Sequence, residues 1–274
     1  MEVLTLYAGQ GNFAVVRHGR QAIVVDTRLP AENTNNLMSK INRFLQRREL
    51  VGVVLTGFDD DHADPEGLDM LLRTFGAAWV MYPKYYKETE NTRLVFNVIQ
   101  KHERQRRNTS HPLVRVSVRL DQLESRFLDE LTDEFDLELF SPHIEDMDNS
   151  NNCSIVLKIE GVGPEGFGYL VTGDTEIPRW DRIVALFEDH LATDVMAAPH
   201  HGSKNAAHAG LVLAASPNTV LISAGIDNQY GHPDAKAVAL YSRVAEHVFQ
   251  TNVRSGVSWL TRRMGGDFLT QRVA

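Results

Sequence analysis

The sequence predicts an α/β fold in which a single domain, residues 1–274, contains two similar halves. Short apolar runs typical of strands alternate with polar loops and helical patterns in the first half of the chain, and the same rhythm returns in the second half. No segment rich in Pro, Gly or Ser divides the halves, which favours one domain over two. A chain of 274 residues, 43% hydrophobic and 23% charged, is long enough to bury the core of such a domain.

The first half begins with three short strands separated by Gly-containing turns, which predicts an antiparallel opening. Apolar residues then recur at helical spacing before the next strand, so we expect that helix to pack on the sheet. The predicted strands are residues 3–7, 13–17, 22–26, 51–55, 77–82 and 113–120, and the predicted helices are 31–48, 65–75 and 85–108. The acidic, poorly patterned segment Asp121–Glu134 is interpreted as a surface insertion.

The second half contains the same kinds of element in a similar order. Its predicted strands are residues 137–140, 154–159, 167–172, 194–198, 219–223, 248–251 and 257–261, and its predicted helices are 178–189 and 234–246. No repeat is visible at the level of individual residues. The similarity of the halves therefore lies in the succession of elements.

The charge and cysteine content limit the classes of function. Cys153 is the single cysteine, so an intramolecular disulfide framework and a cysteine-based zinc module are excluded, and a metal would be held by His and carboxylate groups. We interpret Cys153 as a small apolar residue of the core. The formal net charge of −8 opposes tight, salt-dependent binding of nucleic acid, although nucleic acid as a substrate is compatible with it. The basic run Lys101–Arg107 fits either a solvated helix face or a phosphate-binding surface.

The amino terminus enters a strand pattern without a basic region followed by a long apolar run, and no apolar run is long enough to span a bilayer. We therefore expect a cytoplasmic protein with no membrane partner. The sequence does not indicate a protein partner.

Four polar clusters follow apolar strands, where α/β folds place their chemistry because the strand fixes the backbone and the loop frees the side chains. The first is the run Asp59-Asp60-Asp61-His62, and the others are Asp174, the pair His200-His201 and, in a Gly-His-Pro sequence, His232. Each cluster alone is typical of a capped or solvated loop. Together they favour a shared site.

Asp61, His62, Asp174 and His200 form a set of two carboxylates and two imidazoles, which suits Zn²⁺, Mn²⁺ or Fe²⁺. A metal held in this way lowers the pKa of a bound water to about 7 in favourable cases and polarises a phosphoryl or carbonyl oxygen. The set therefore predicts hydrolysis by a metal-activated water.

The motifs that carry these residues resemble those of the metallo-β-lactamase fold superfamily, in particular its branch resembling the hydrolase domain of the competence protein ComEC. They are the loop 59–62, Gly173-Asp174, the sequence 200–203, and 231–233, with further similarity at 9–12, 25–27 and 151–154. The resemblance extends from Val3 to about Gly256. It implies a four-layer αββα sandwich.

The resemblance also implies roles for individual residues. Asp61, His62 and Asp174 would bind metal, with Asp174 bridging two sites in relatives that have two, and His200 would complete the set, with His201 as the alternative. The resemblance further implies that His232 lies beside the substrate as proton donor or phosphate contact. Asp26 is expected to be structural, near the metal loop.

The chain departs from the pattern of the family at its first metal site. Gly57 and Asp59 stand where the family has its two leading histidines, and Asn151 or Asn152 lies near the place of a third. We therefore expect one ion per chain, Zn²⁺ or alternatively Mn²⁺ or Mg²⁺. Asn151 and His201 remain candidates for metal or substrate binding, and Asp59 could recruit a second, oxygen-preferring ion.

Two functions follow from these observations. The first is a metal-dependent hydrolase in which Asp59 orients the water as a general base and His232 protonates the leaving oxygen. The resemblance implies that its substrates are phosphodiesters, which would make it a nuclease or phosphodiesterase. The alternative is a catalytically degenerate protein that uses the same fold as a binding or regulatory module, because Gly57 and Asp59 have replaced two metal-binding histidines. The surviving set satisfies the ligand count of a catalytic metal with an open position, which favours catalysis.

Overall fold

The computed structural model describes residues 1–123 and 127–273, and within these ranges two β-sheets lie face to face. The strands are β1 (Glu2–Thr5), β2 (Ala14–His18), β3 (Gln21–Val25), β4 (Glu49–Val54), β5 (Trp79–Pro83), β6 (Val114–Val118), β7 (Phe135–Ser141), β8 (Val156–Gly161), β9 (Gly168–Val171), β10 (Val195–Ala197), β11 (Thr219–Ile222), β12 (His247–Gln250), β13 (Ser258–Met264) and β14 (Asp267–Val273). The helices are α1 (Thr34–Leu45), α2 (Pro65–Phe75), α3 (Glu90–Arg106), α4 (Ile177–Phe187), α5 (Ala209–Ala215) and α6 (Ala235–Tyr241).

The strand order of the first sheet is β14-β13-β1-β2-β3-β4-β5-β6, and that of the second is β12-β11-β10-β9-β8-β7. The opening strands β1, β2 and β3 pair antiparallel, as predicted. Strands β3 to β6 run parallel in the first sheet, and β9 to β12 run parallel in the second. Because parallel strands end at the same edge of a sheet, the polar clusters that follow β9, β10 and β11 lie at one edge of the second sheet. The loop after β4 of the facing sheet meets them there.

Apolar side chains form three separate layers because successive residues of a strand point to opposite faces of its sheet. Val24 and Val53 of the first sheet pack against α1, α2 and α3, whereas Val25 and Val54 point to the second sheet. The outer face of the second sheet packs against α4, α5 and α6 around Trp180. The four-layer αββα prediction is confirmed.

Several predicted boundaries are corrected by local interactions. Helix α3 begins at Glu90 rather than near residue 85, because the Thr89 side chain accepts a hydrogen bond from Thr92 N and caps the helix. Helix α6 ends at Tyr241, several residues before the predicted end at Glu246. Helix α5 and strand β14 were absent from the prediction. The seven residues of α5 make too short a periodic pattern to be recognised.

The prediction of a surface insertion at Asp121–Glu134 is wrong for its second part. Leu128 is buried between the two sheets, and the indole nitrogen of Trp79 donates a hydrogen bond to the carbonyl of Leu131 at 2.8 Å. The acidic residues around Leu128 obscured this anchoring in the sequence. Residues 124–126 of the segment lie outside the described residues.

The basic run Lys101–Arg107 lies at the carboxyl-terminal end of α3. Arg106 donates to the carbonyl of Ala77, which precedes β5, while Asn91 at the other end of the helix donates to the carbonyls of Phe58 and Ala63. The length of α3 therefore separates the run from the loop that follows β4. Nowhere in the described ranges does a helix combine the length and apolar character needed to cross a membrane.

Candidate metal centre

Loops that follow β4, β9 and β10 bring four potential metal ligands to one place between the two sheets. Asp61 and His62 come from the loop after β4, Asp174 from the turn after β9, and His201 from the loop after β10. One ligand atom from each residue lies within 4.8 Å of the other three. The group joins residues more than 100 positions apart in the chain.

The distances within the group are short for atoms that are not hydrogen-bonded. His62 Nε2 lies 3.0 Å from Asp174 Oδ1, and His201 Nε2 lies 3.6 Å from the same oxygen. His201 Nε2 is also 3.4 Å from Asp61 Oδ2, and His62 Nε2 is 3.9 Å from Asp61 Oδ1. Two imidazole nitrogens and two carboxylates thus surround a common point.

Three of these atoms support a cation at that point. His62 Nε2, Asp174 Oδ1 and His201 Nε2 are buried, and none of the three has a hydrogen-bond partner. Buried polar atoms without partners cost free energy, so their convergence is unfavourable unless another group satisfies them. A divalent ion bound by two imidazoles and two carboxylates would satisfy all three, and the donor set suits Zn²⁺ and Mn²⁺.

Hydrogen bonds on the far side of each imidazole set its tautomer. His62 Nδ1 contacts Asp26 Oδ2 at 2.9 Å, and His201 Nδ1 lies 2.8 Å from the carbonyl oxygen of Ser223. A carbonyl oxygen accepts only, so Nδ1 of His201 carries the proton; the Asp26 carboxylate holds His62 in the same way. In the neutral form of each imidazole, Nε2 is therefore unprotonated and faces the centre, as metal-binding imidazoles require.

Asp26 is built into the site as a buried support. Its Oδ1 accepts hydrogen bonds from Thr56 N at 2.7 Å and Thr56 Oγ1 at 2.9 Å, and its Oδ2 accepts from Asn12 Nδ2 at 3.1 Å. The backbone of Asp26 adopts a positive φ of 59°, which Asp tolerates better than most residues. These contacts agree with the structural role expected for Asp26 near the metal loop.

The structure places His201, the alternative left open by the sequence, in the four-residue group, and it places His200 beside the group. The two residues have φ values of 47° and 55°, and this left-handed turn sends their rings in different directions. His200 Nδ1 lies 3.4 Å from Glu176 Oε1, and His200 Nε2 lies 3.8 Å from Asp174 Oδ2. Adjacent positive φ values outside glycine are strained, and such strain clusters at functional sites.

The carboxylates and imidazoles stabilise each other's charged forms. Burial disfavours the protonated forms of His62 and His201, but Asp174 and Asp61 outweigh it and raise the pKa of both imidazoles. Burial likewise opposes ionisation of Asp174 and Asp61, yet the facing imidazoles hold the pKa of each carboxyl below its usual range. The centre therefore concentrates negative charge that a metal ion would neutralise in place of the imidazole protons.

The remaining predicted residues surround this group without belonging to it. Asp59 lies at the surface. Partial burial of its carboxyl raises its pKa, and the charge of His62 opposes this rise. Asn151 donates to Glu176 Oε1 at 3.2 Å. The His232 ring lies 5.6 Å from the His200 ring, and burial followed by the charge of His200 lowers the pKa of His232.

Sequence reasoning missed several groups that orient the site. Thr56 donates its backbone N–H and its hydroxyl to Asp26, and the backbone carbonyl of Ser223 accepts from His201. Neither contact has a recognisable pattern in the sequence. Glu176 accepts hydrogen bonds from the side-chain amides of Asn149 and Asn151 and faces His200. Its position two residues after Asp174 was the one available signal.

Comparisons with known proteins identify the family. A family model described as Metallo-beta-lactamase superfamily matches residues 6–225. ComE operon protein 3 of Bacillus subtilis (strain 168) is 30% identical over 130 residues, which cover 47% of this chain and 16% of that protein. Competence protein ComA of Neisseria gonorrhoeae is 30% identical over 115 residues, covering 42% of this chain and 16% of that protein. The matched segments thus span about one sixth of these curated relatives.

Among solved structures, the fold is similar to that of Igni18, described as a novel metallo hydrolase from Ignicoccus hospitalis KIN4/I. The TM-score is 0.53 at 14% sequence identity, and the match covers 96% of this chain and 100% of that one. At this identity the likeness concerns the fold alone. The fold, the competence-protein relatives and the family match agree: the chain belongs to the metallo-beta-lactamase superfamily.

Proposed function

We propose that this chain is a metal-dependent hydrolase of phosphodiester bonds. The observation that carries the proposal is the convergence of Asp61, His62, Asp174 and His201, three of which present buried ligand atoms without hydrogen-bond partners. Asp61 is the most accessible of the four, with a side chain 28% exposed, so the centre opens to solvent on its side. The members of this superfamily are metallo-hydrolases.

An open groove beside the centre has room for an extended substrate. The groove, of about 840 Å³, runs past the carboxylates of Asp59–Asp61 and Glu90, and it is also lined by Arg28, Gln10 and the exposed ring of Tyr230. An arginine, side-chain amides and an aromatic face are the groups that contact phosphates, sugars and bases. The groove therefore has the room and the contacting groups for a short phosphodiester or a single nucleic acid strand, and a cation at the centre would offset part of the charge of its carboxylates.

The side chains divide the work of such a reaction. Asp26 and the Ser223 carbonyl hold the imidazoles of His62 and His201 with Nε2 toward the centre. Asp59 lies beside the group with an exposed carboxylate that can orient a water as general base. His232 stacks on Tyr230 with ring centroids 5.9 Å apart, and its neutral imidazole can donate a hydrogen bond to a phosphoryl or leaving oxygen.

The four-residue group would hold one ion, and its donor set suits Zn²⁺ or Mn²⁺, whereas Mg²⁺, the other alternative, prefers oxygen ligands alone. When bound, the ion supplies a Lewis acid for the phosphoryl oxygen and lowers the pKa of a bound water toward neutrality. A second, oxygen-preferring ion beside Asp59 remains an alternative for the metal analysis to decide. The ion also stabilises the folded chain, by about 2.7 kcal/mol at a free metal concentration 100 times the Kd.

The proposal is tested by metal analysis and turnover on the same samples. The purified chain is loaded in turn with Zn²⁺, Mn²⁺ and Mg²⁺, its metal content is measured, and hydrolysis of bis(p-nitrophenyl) phosphate and of a single-stranded oligonucleotide is followed. The matched variants are Asp174→Asn in the centre and Asp194→Asn as the control. In the parent, Asp194 lies at the opposite end of the second sheet, where its carboxylate accepts a hydrogen bond from Gly168 N at 2.9 Å.

We expect about one ion per chain and measurable hydrolysis in the parent and in Asp194→Asn, with both lost in Asp174→Asn. Full hydrolysis by Asp174→Asn would overturn the site assignment. One bound ion without turnover of either substrate would instead support the alternative, a metal-binding module that is catalytically degenerate. No binding of any of the three ions would overturn the metal centre itself.

A further inference from the structure

A narrow cleft of about 20 Å³ adjoins the metal centre, and we call it the Gly57 cleft. It is lined by Gly57, Asp59, Tyr85, Lys87, Asn151 and Asp174, among others. A Cβ atom added to Gly57 would meet no heavy atom within 4 Å, so this glycine leaves open space where a side chain would stand. The cleft shares Asp174 and His62 with the metal centre, so a group bound there is in reach of the ligands.

The charges on the walls of the cleft are unequal. Asp59 and Asp174 contribute carboxylates, whereas Lys87 is the one lining residue with a fixed positive charge, all lining residues belonging to the described ranges. In that part of the chain the Lys87 ammonium forms neither a hydrogen bond nor an ion pair. An exposed ammonium that forms no direct ion pair is available to contact an anionic ligand.

The positive charge of Lys87 affects titratable groups on two walls of the cleft. Burial raises the pKa of Asp59 and that of the Cys153 thiol, and the Lys87 ammonium opposes the rise at both groups. Asp59 belongs to the loop after β4, and Cys153 belongs to the segment before β8. Lys87 therefore acts on groups from both halves of the fold that enclose the cleft.

The backbone at Lys87 is held in place. Its carbonyl accepts hydrogen bonds from Thr92 Oγ1 at 2.7 Å and from Thr89 N at 3.1 Å. The neighbouring ring of Tyr86 packs on Phe58 with centroids 4.8 Å apart. The side chain of Lys87 is exposed, so a substitution there removes its charge without disturbing the core.

We propose that Lys87 binds a non-bridging phosphoryl oxygen that enters the Gly57 cleft, which has room for about one water-sized atom. A phosphoryl group at the centre directs one oxygen toward the four-residue group and leaves another facing Asp59 and Asp174. That oxygen needs a cation, because two carboxylates would otherwise repel it, and Lys87 supplies the compact charge suited to phosphate. The inference rests on the proposed hydrolase function and adds a substrate-binding residue to it.

The test compares Lys87→Ala with Lys84→Ala, which removes the same charge from an exposed residue of the same loop that does not line the cleft. Three quantities are measured on the metal-loaded proteins: metal content, the Kd of inorganic phosphate by calorimetry, and kcat for the phosphodiester substrate. Lys87→Arg keeps the charge, and added ethylamine tests chemical rescue of Lys87→Ala.

We expect Lys87→Ala to keep its metal and to lose about 10-fold to 100-fold in phosphate affinity, as for one hydrogen bond to a charged group. Its kcat should fall by about 100-fold, the lower end of the range found when one donor to a developing anion is removed. Lys84→Ala should match the parent, Lys87→Arg should retain part of the activity, and ethylamine should restore part of it to Lys87→Ala. Parent-like phosphate affinity in Lys87→Ala would overturn the inference. Lys87-dependent phosphate binding without turnover in the parent would refute the hydrolase proposal and leave the anion site standing.

Discussion

The hydrogen bond from His62 to Asp26 gives the sharpest test of how the metal centre is organised. In Asp26→Asn the side chain keeps its shape, and Asn tolerates the φ of 59° found at this position, so the backbone should persist. The carboxylate is fully buried and accepts from donors on both of its oxygens. The variant therefore changes hydrogen bonding and charge while keeping the size of the residue.

Neither orientation of the new amide satisfies these neighbours. If the NH₂ group faces Thr56 N, two donors oppose each other; if it faces His62, Nδ1 must become the acceptor and the imidazole proton moves to Nε2. That second tautomer blocks the atom aimed at the metal. Loss of such an outer partner typically costs 10-fold to 100-fold in metal affinity, or about 1.4–2.7 kcal/mol. The unsatisfied buried donor adds about 1–3 kcal/mol of lost folding stability.

The assay is competition for Zn²⁺ between the protein and a chromophoric chelator, together with thermal unfolding with and without metal. Asp194→Asn is the control, because it makes the same substitution at a carboxylate far from the centre. We expect weaker Zn²⁺ binding in Asp26→Asn alone. Equal Zn²⁺ affinity in Asp26→Asn and the parent would refute the view that Asp26 sets the tautomer of His62.

Three further outcomes are expected. His201→Ala should lose more metal affinity than the roughly 100-fold that an outer partner contributes, whereas His200→Ala should keep near-parent affinity. Both affinities are measured with the same chelator, and the reverse order would return the ligand role to His200. Burial raises the pKa of the Cys153 thiol to about 11, so about one thiol in a thousand is ionised at pH 8; Ellman's reagent should label the native protein slowly and the denatured protein fast, and fast native labelling would contradict the burial. Gly52→Ala would bring a Cβ within 2.1 Å of the Trp79 ring and should cost about 1–3 kcal/mol; an unchanged Tm would show that the ring moves away freely.

Local signals in the sequence explain why some elements were predicted well. Helix α2 begins at Pro65 and ends at Phe75 as predicted, because the Asp64 side chain caps its first turn and Gly76 adopts the left-handed conformation that ends it. Leu128 shows the opposite case, since its burial depends on the position of the facing sheet and an acidic neighbourhood hides it. Elements with strong caps are therefore predictable, and contacts between distant layers are not.

In the metal centre, too, some features were predicted from the sequence and others depend on the tertiary structure. The sequence by itself determined the kinds of potential ligand, two carboxylates and two imidazoles without a thiolate, and it placed Asp61, His62 and Asp174 at the ends of strands. It named His200 with His201 as the alternative, since adjacent residues of the same type carry nearly the same sequence signal. Only the tertiary structure decided, since the left-handed turn, the Ser223 carbonyl and the Glu176 carboxylate orient the two rings. These groups come from segments far apart in the chain, so the packing of the second sheet determines which ring meets the centre.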